Sequence, residues 1–298
     1  MKFSQIFRKI MKCPHCGQEH PGNFQFCPVT GQRIVPQFKA CTNEQCPDFG
    51  KYILPLDSRF CPSCGKTLER PITSTISNRL KFDVDGISFN MIFVEHNHLM
   101  IGTTEEKEAP NDKEKTEHDV ILTKDYYIGE TLVTQELWTI IMGYNPSLFN
   151  GKDRPVENVR WRACLNFITK LNRRLLPKLS GRKFRLPTEA EWEFAARGGK
   201  KTRNYLYAGS DKIDDVAWWQ GNCYRRTHNV AKLKPNELGI YDMSGNVSEW
   251  CYDYNFSGKH IIRGGSCYNS AQFCKISYRS DAGDGFCNGI GLRLVLSE

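Results

Sequence analysis

The chain lacks any long apolar run, and its positive charge is not gathered into one block. None of its 298 residues belongs to a stretch that could cross a bilayer, and residues 1–12 hold too few apolar side chains for a secretory signal. The Lys and Arg residues behind the net charge of +8 are scattered, which is typical of a solvated surface. We therefore expect a cytoplasmic protein without a membrane partner and without a strong bias toward nucleic acid.

The cysteines are numerous and unevenly distributed. Seven of the 13 lie in the first 64 residues at short spacings. In a chain without an export signal, that pattern predicts metal ligands rather than disulfides. The hydrophobic content of 40% leaves room for a sizeable core, and the length suits one large domain with a small module.

The stronger metal pattern lies in residues 37–70. Two close cysteine pairs are separated by a 14-residue insert, and their members are Cys41, Cys46, Cys61 and Cys64. A short pair forms a tight turn that points both sulfurs at one ion, and two such pairs complete the tetrahedral thiolate site that zinc prefers. We predict a zinc ribbon here.

A degenerate copy precedes it in residues 1–36. This unit offers three cysteines: Cys13, Cys16 and Cys27. Thr30 stands where the fourth would be, so either His15 or His20 completes the site or no metal binds. Units this short cannot bury an adequate core, so structural zinc would supply most of their folding free energy. Zinc ribbons serve as docking or nucleic-acid adaptors, and the sequence leaves that choice open.

The rest of the chain reads as a linker, residues 71–81, and a large domain, residues 82–298. Hydrophobic alternation predicts strands within 87–101 and at 126–128, with a charged loop over 102–119. Helical spacing predicts helices after Thr134 and over 161–176. Thr188 and Glu191 have capping-box spacing, and Gly198 ends that helix.

A turn-rich segment, residues 235–250, could hold a cation. Gly239 and Gly245 mark turns, and Trp250 is a candidate core anchor. Asn246 and Glu249 could place two oxygens on a calcium ion, with backbone carbonyls adding more. Hydrogen bonds that stabilise the loop are the alternative.

Four motifs recur in an order that resembles one family. The motifs RLPTEAEWEFAARGG, NELGIYDMSGNVSEW, RGGS and IGLRLV lie between residues 82 and 295. Together they resemble the formylglycine-generating-enzyme, or sulfatase-modifying-factor, family. The resemblance implies an α+β, loop-rich variant of the C-type lectin-like fold. It also favours calcium at Asn246 and Glu249.

The family's enzymes oxidise a protein cysteine with a copper-binding Cys-x4-Cys pair that follows RGGS. Here Cys267 and Cys274 have six residues between them, so the pair departs from the family spacing. Other enzymatic relatives carry an iron-binding helical domain with a His/Glu triad, and the seven histidines here are dispersed. We therefore predict a protein that is not an enzyme. A copper-dependent formylglycine-generating oxidase acting on protein cysteine stays the alternative.

The C-terminal block also resembles the variable proteins of diversity-generating retroelements. In that branch a reverse transcriptase miscopies adenines, which turns AAY codons into NNY codons that never encode Lys, Glu, Gln, Met or Trp. The resemblance implies a variable region over about 267–289, with these diversified, ligand-binding positions: Cys267, Tyr268, Asn269, Ser270, Phe273, Tyr278, Ser280, Asp281, Ala282, Gly283, Asp284, Gly285, Phe286, Cys287, Asn288 and Gly289. None is a forbidden type. The interspersed residues match that branch's invariant frame: Ala271, Gln272, Cys274, Arg279, Ile290 and Gly291.

The composition of this region suits recognition. Tyr and Phe give large contact areas at low entropic cost, while Ser, Asn, Gly and Asp adapt their hydrogen bonds. An exposed aromatic cluster without a partner would be unusual. We therefore predict a non-catalytic ligand-binding protein with an unknown protein ligand at the variable surface and a second partner at the ribbons. Nucleic acid is disfavoured as that partner but stays open as a third class of function.

Overall fold

The computed structural model describes residues 10–12, 19–21, 38–40, 45, 52–55, 77–101, 118–285 and 288–297. The chain divides into two compact units, Met1–Ile76 and Ser77–Glu298. In the first unit, β1 (Ile10–Lys12) pairs with β2 (Glu19–Pro21) and β3 (Phe38–Ala40) pairs with β4 (Tyr52–Pro55), both antiparallel. One such pair falls within each predicted ribbon.

The second unit is built on a five-stranded antiparallel sheet. Its strands are β5 (Arg79–Val84), β6 (Ile87–Val94), β9 (Tyr126–Gly129), β10 (Lys183–Arg185) and β15 (Val295–Ser297), in the order β10-β15-β9-β6-β5. The last strand lies between β10 and β9, so the C-terminal segment is built into the sheet. The linker prediction was wrong at its end, because residues 79–81 pair with β6. Their alternating polar and apolar side chains fit an edge strand as well as a linker.

A four-stranded sheet carries the C-terminal block. Its strands are β11 (Ser248–Tyr254), β12 (His260–Arg263), β13 (Arg279–Ala282) and β14 (Ile290–Gly291), in the order β13-β12-β11-β14. Only β11 and β14 run parallel. Separately, β7 (His98–Ile101) pairs with β8 (His118–Ile121). The loop predicted over 102–119 therefore ends two residues too late, because His118 and Asp119 belong to β8, and residues 102–117 lie outside the described part.

The helices begin where the sequence predicts them. Thr134 caps α1 (Gln135–Met142) by accepting from the Leu137 amide at 3.3 Å. In α2 (Trp161–Leu175) the buried side chains recur every three or four residues. The capping box of Thr188 and Glu191 opens α3 (Glu189–Ala196), and Gly198 follows that helix with a φ of 91°. A short α4 covers Ile213–Val216. Among the described residues, no helix is long and apolar enough to span a membrane.

Two large apolar clusters form most of the core of the second unit. In one, the rings of Trp138 and Phe167 stack with centroids 5.0 Å apart and join α1 to α2. The other gathers Trp192 and Phe194 of α3 with Ile128 and Val295 of the five-stranded sheet. Trp250 is fully buried on the first cluster, which confirms its role as a core anchor. Between them the clusters fix β11 and β12, from which the C-terminal block starts.

Candidate ligand-binding surface

A buried arginine at the end of β12 holds the C-terminal segment by its backbone. Arg263 is 1% exposed. One terminal nitrogen donates to the carbonyls of Ser277 at 3.0 Å and Tyr278 at 2.7 Å, and the other donates to Ile276 at 2.9 Å. That second nitrogen also pairs with the buried Glu193 carboxylate. Because every residue type has a backbone carbonyl, these hydrogen bonds do not depend on which side chains the bound residues carry.

The glycines after Arg263 allow the chain to turn tightly. Gly265 has a φ of +68°, and a Cβ there would lie 2.5 Å from the Phe273 carbonyl oxygen and 2.8 Å from the Cys274 sulfur. No other residue fits that space without moving the backbone. The RGGS motif therefore fixes where residues 266–274 pass.

The C-terminal end of the block is fixed by a second buried arginine. Arg293 and Glu249 are both fully buried, and the guanidinium contacts both carboxylate oxygens at 2.8 to 3.1 Å. Arg293 also donates to the Gly129 carbonyl at 2.9 Å. The Trp192 indole donates to the same carboxylate at 2.8 Å. The polar residue of the IGLRLV motif is thus as buried as its apolar residues, and the motif belongs to the structural frame.

Between these buried ends, most of the predicted variable positions reach the surface. Those that are partly exposed are Tyr268, Asn269, Ser270, Phe273, Tyr278, Ser280, Asp281 and Asp284, and those that are exposed are Gly283, Gly285 and Asn288. The rings of Phe273 and Tyr278 meet edge to face with centroids 5.0 Å apart. Tyr268 lies near Phe149 at 6.5 Å. Since none of these three aromatic residues is fully buried, the structure leaves each of them in reach of a partner.

Three predicted positions are buried, and their assignment as contact side chains is corrected. Cys267 is 0% exposed, and its amide donates to the Asn246 carbonyl at 3.0 Å. Ala282 is 6% exposed at the end of β13, and Gly289 is buried beside Ser266 and the ring of Tyr268. Phe286 and Cys287 lie outside the described residues.

Comparison with known proteins identifies the family of the large domain. Residues 87–298 match the family described as sulfatase-modifying factor enzyme 1-like domain. The chain belongs to this family. That match confirms the predicted α+β, C-type lectin-like fold for the large domain. The structure resembles Treponema denticola variable protein 1 with a TM-score of 0.65 and 30% identity, over 73% of this chain and 98% of that protein.

Other relatives carry varied names. Chaperone protein LppX of Paenibacillus barcinonensis is 34% identical over 231 residues, 60% of this chain and 82% of that protein. The formylglycine-generating enzyme of Streptomyces coelicolor is 40% identical over 130 residues, but these span only 39% of this chain and 38% of the enzyme. Inactive Cα-formylglycine-generating enzyme 2 of Bos taurus is 35% identical over 100 residues, 29% of this chain and 33% of that protein. Enzymes and inactive members thus share this family.

The cysteines near the RGGS motif form a buried group. Cys223, Cys267 and Cys274 are free thiols and fully buried. The Cys223 sulfur donates to the Cys267 carbonyl at 2.9 Å. Burial raises the pKa of the Cys274 thiol to about 12, and burial with the neighbouring Cys223 raises the pKa of Cys267. Buried thiols of this kind are unreactive, and within the described residues no three His, Cys, Asp or Glu side chains form a metal-binding group.

The two candidate calcium ligands are both engaged by protein groups. Asn246 accepts from the His228 amide at 3.0 Å and donates to the His228 carbonyl at 3.1 Å. Both Glu249 oxygens face Arg293, so a cation at this carboxylate would lie against a guanidinium, and this arrangement does not fit calcium there. Both side chains instead make contacts within the protein, as the alternative interpretation of the loop expected. Calcium binding itself stays a prediction.

The predicted zinc ligands and one unpredicted loop complete the comparison of the sequence with the structure. All seven predicted zinc ligands lie outside the described residues: Cys13, Cys16, Cys27, Cys41, Cys46, Cys61 and Cys64. Sequence reasoning also missed the loop of residues 218–228, which lies against residues 267 and 269. Its only signals were a cysteine among polar residues and an adjacent Tyr-Arg-Arg run.

Proposed function

We propose that this protein is a non-catalytic ligand-binding protein that displays a diversified surface at its C-terminal segment, as a target of a diversity-generating retroelement. The observation that carries the proposal is the contrast between the buried ends of the block, residues 263–267 and 289–297, and the stretch between them, where most described side chains are partly exposed or exposed. A frame that binds the intervening backbone can keep its fold while those side chains change.

Strand β13 places a fixed residue next to variable ones. Arg279 binds Glu189 of α3 through two hydrogen bonds, at 2.7 and 2.8 Å, and this residue belongs to the predicted invariant frame. Ser280 and Asp281 follow it as predicted variable positions and are partly exposed. Arg279 is itself partly exposed, and Asp281 pairs with Lys259 at 3.5 Å. On this strand the fixed residue is therefore distinguished by its two bonds to α3 and not by burial, which supports the proposal independently of the codon argument.

The proposal is tested by a library in which the eight partly exposed variable positions are replaced through NNY codons. We expect most members to stay folded, because burial and backbone contacts determine stability, and some to bind protein targets on panning. The control library randomises buried frame positions, which include Cys274, Ile276 and Leu292, and should lose the folded fraction. Equal loss in both libraries would contradict the proposal. In the neighbouring DNA we expect a near-copy of the segment encoding residues 263–295 that differs at adenines.

A second candidate function is the copper-dependent formylglycine-generating oxidase. The observation in its favour is that Cys223 contacts Cys267 while Cys274 lies in the same buried group, so thiols converge although their spacing departs from the family pattern. Copper bound by two thiolates would supply the oxidation of a substrate cysteine. Full burial leaves no described path for that substrate. Formylglycine formation with copper, lost on Cys274→Ala, would establish the oxidase and overturn a binding-only function.

For the N-terminal unit we propose zinc ribbons that bind a second partner. The seven cysteines at short spacings support this, and so does the small size of each unit. Metal analysis of the purified chain should find one or two zinc ions per molecule, and Cys61→Ser should remove one. Failure to bind DNA or RNA at both low and high salt would exclude nucleic acid as that partner.

A further inference from the structure

The loop of residues 218–228 is fastened to the backbone of the variable segment. The Gln220 amide donates to the Asn269 carbonyl at 3.0 Å, and the Cys223 thiol donates to the Cys267 carbonyl at 2.9 Å. Both acceptors are main-chain atoms, so these bonds do not depend on the side chains at those positions. The loop therefore keeps a constant position beside the variable surface.

The neck of the same loop is closed by aromatic and amide contacts. The rings of Trp218 and His228 stack with centroids 3.9 Å apart. The Asn246 side chain binds both the amide and the carbonyl of His228, and the Asn246 backbone amide donates to the Trp218 carbonyl at 2.7 Å. With both ends held, the tip is presented by a defined scaffold.

The tip carries an aromatic ring and two exposed cations. Tyr224 is 89% exposed, and Arg225 and Arg226 are exposed beside it. In the described part of the chain neither arginine has a carboxylate partner. Tyr224 and Arg225 adopt φ values of 54° and 55°, and consecutive non-glycine residues in the left-handed region are held there only by their surroundings.

We propose that residues 224–226 form a constant cationic contact that binds an acidic segment of the protein partner, next to the variable surface. The inference rests on the proposed binding function and names the chemistry of its partner. Guanidinium groups pair with carboxylates through two parallel hydrogen bonds, and Tyr and Arg are the residue types that dominate binding energy at protein interfaces.

The charges at the base of the loop favour an acidic protein segment over nucleic acid. Asp214 accepts from the Trp219 indole at 2.8 Å and from the Asn222 amide at 3.2 Å, whereas the neighbouring Asp215 is paired with Lys234 at 3.0 Å. The Asp214 carboxylate would repel the phosphate chain of a nucleic acid that extends past the tip, whereas a short acidic segment can contact the tip alone.

Selection from a displayed library of random dodecapeptides against the full chain tests the inference. We expect the selected peptides to be enriched in Asp and Glu. Their synthetic counterparts should bind the Arg225→Gln/Arg226→Gln variant about tenfold more weakly or worse. The matched control is Lys170→Gln/Arg173→Gln, which removes the same charge from the exposed face of α2 and should change affinity by less than about twofold. Unchanged tryptophan fluorescence would verify that the variants are folded.

The outcomes separate this inference from the proposed function. Selected peptides that lose binding on Tyr268→Ala/Phe273→Ala but not on the arginine substitutions would overturn the cationic contact and leave the variable surface as the binding site. Peptides that depend on the arginines alone would support the contact and count against the variable surface. No acidic enrichment, no selected peptide, or equal loss in the control variant would overturn the contact. Arginine-dependent binding of a 20-nucleotide single strand without peptide binding would also overturn it.

Discussion

Replacement of Glu249 by Gln should destabilise the second unit strongly. The substitution keeps the shape of the side chain but removes the charge that faces Arg293, and both residues are 0% exposed. Arg293 would keep its bonds to the carbonyls of Gly129 and Tyr241, but neither of these carries a compensating charge. Removal of one partner from a buried ion pair costs about 3 to 5 kcal/mol.

The assay is equilibrium unfolding in urea, followed by tryptophan fluorescence. All six tryptophans lie beyond residue 77, so the signal reports the second unit alone. In a thermal melt followed by the same fluorescence, we expect the melting temperature of a unit of this size to fall by about 2 to 4 °C per kcal/mol of lost stability. The matched control is Glu95→Gln, which removes an exposed pair with Lys200 at 2.7 Å and should cost less than about 1 kcal/mol.

If Glu249→Gln lowers the free energy of unfolding by less than about 1 kcal/mol, the assignment of the Glu249–Arg293 pair as a structural anchor is refuted. The same variant also tests calcium. A calcium-dependent rise in the melting temperature of the wild type, absent from Glu249→Gln, would support the predicted site and show that Arg293 gives way to the ion.

Four further outcomes follow from the structure. Burial raises the pKa of the Asp242 carboxyl from 3.8 to about 6, so the native state holds this proton more tightly than the unfolded chain. The free energy of unfolding, relative to Asp242→Asn, should therefore be highest below about pH 4 and decline by up to about 3 kcal/mol as the pH rises through 6, as urea midpoints would show. Thr188→Ala removes a capping-box hydroxyl and should cost about 1 kcal/mol in the same assay. Ile276→Ala should cost about 2 to 5 kcal/mol, whereas Ser280→Ala should stay within about 0.5 kcal/mol. A zinc chelator should perturb the circular dichroism of the first unit without moving the tryptophan midpoint.

Local patterns predicted much of the fold, because helix caps and buried periodicity act over a few residues. Thr134, Thr188 and Gly198 mark helix ends in the sequence and in the structure. The lectin-like arrangement came from the resemblance rather than from periodicity. Its sheets join segments far apart in the chain, such as β9 and β15, and no short-range pattern encodes such a pairing.

The candidate site was predictable as a segment but less so residue by residue. Charged residues are usually exposed, so nothing local indicates that Arg263 and Arg293 are buried. Cys267 lies in a run that reads as interchangeable, yet its side chain is buried and its amide donates to the Asn246 carbonyl. The loop of residues 218–228 approaches the surface only through tertiary contacts, and its sequence could not indicate them.

The Arg263 guanidinium has a consequence for how such a protein can evolve. Within the segment it donates hydrogen bonds to the main-chain carbonyl oxygens of Ser277, Tyr278 and Ile276. A codon change leaves these atoms in place. Successive versions of the surface would therefore start from nearly the same folding free energy, and selection could act on affinity without first repairing stability.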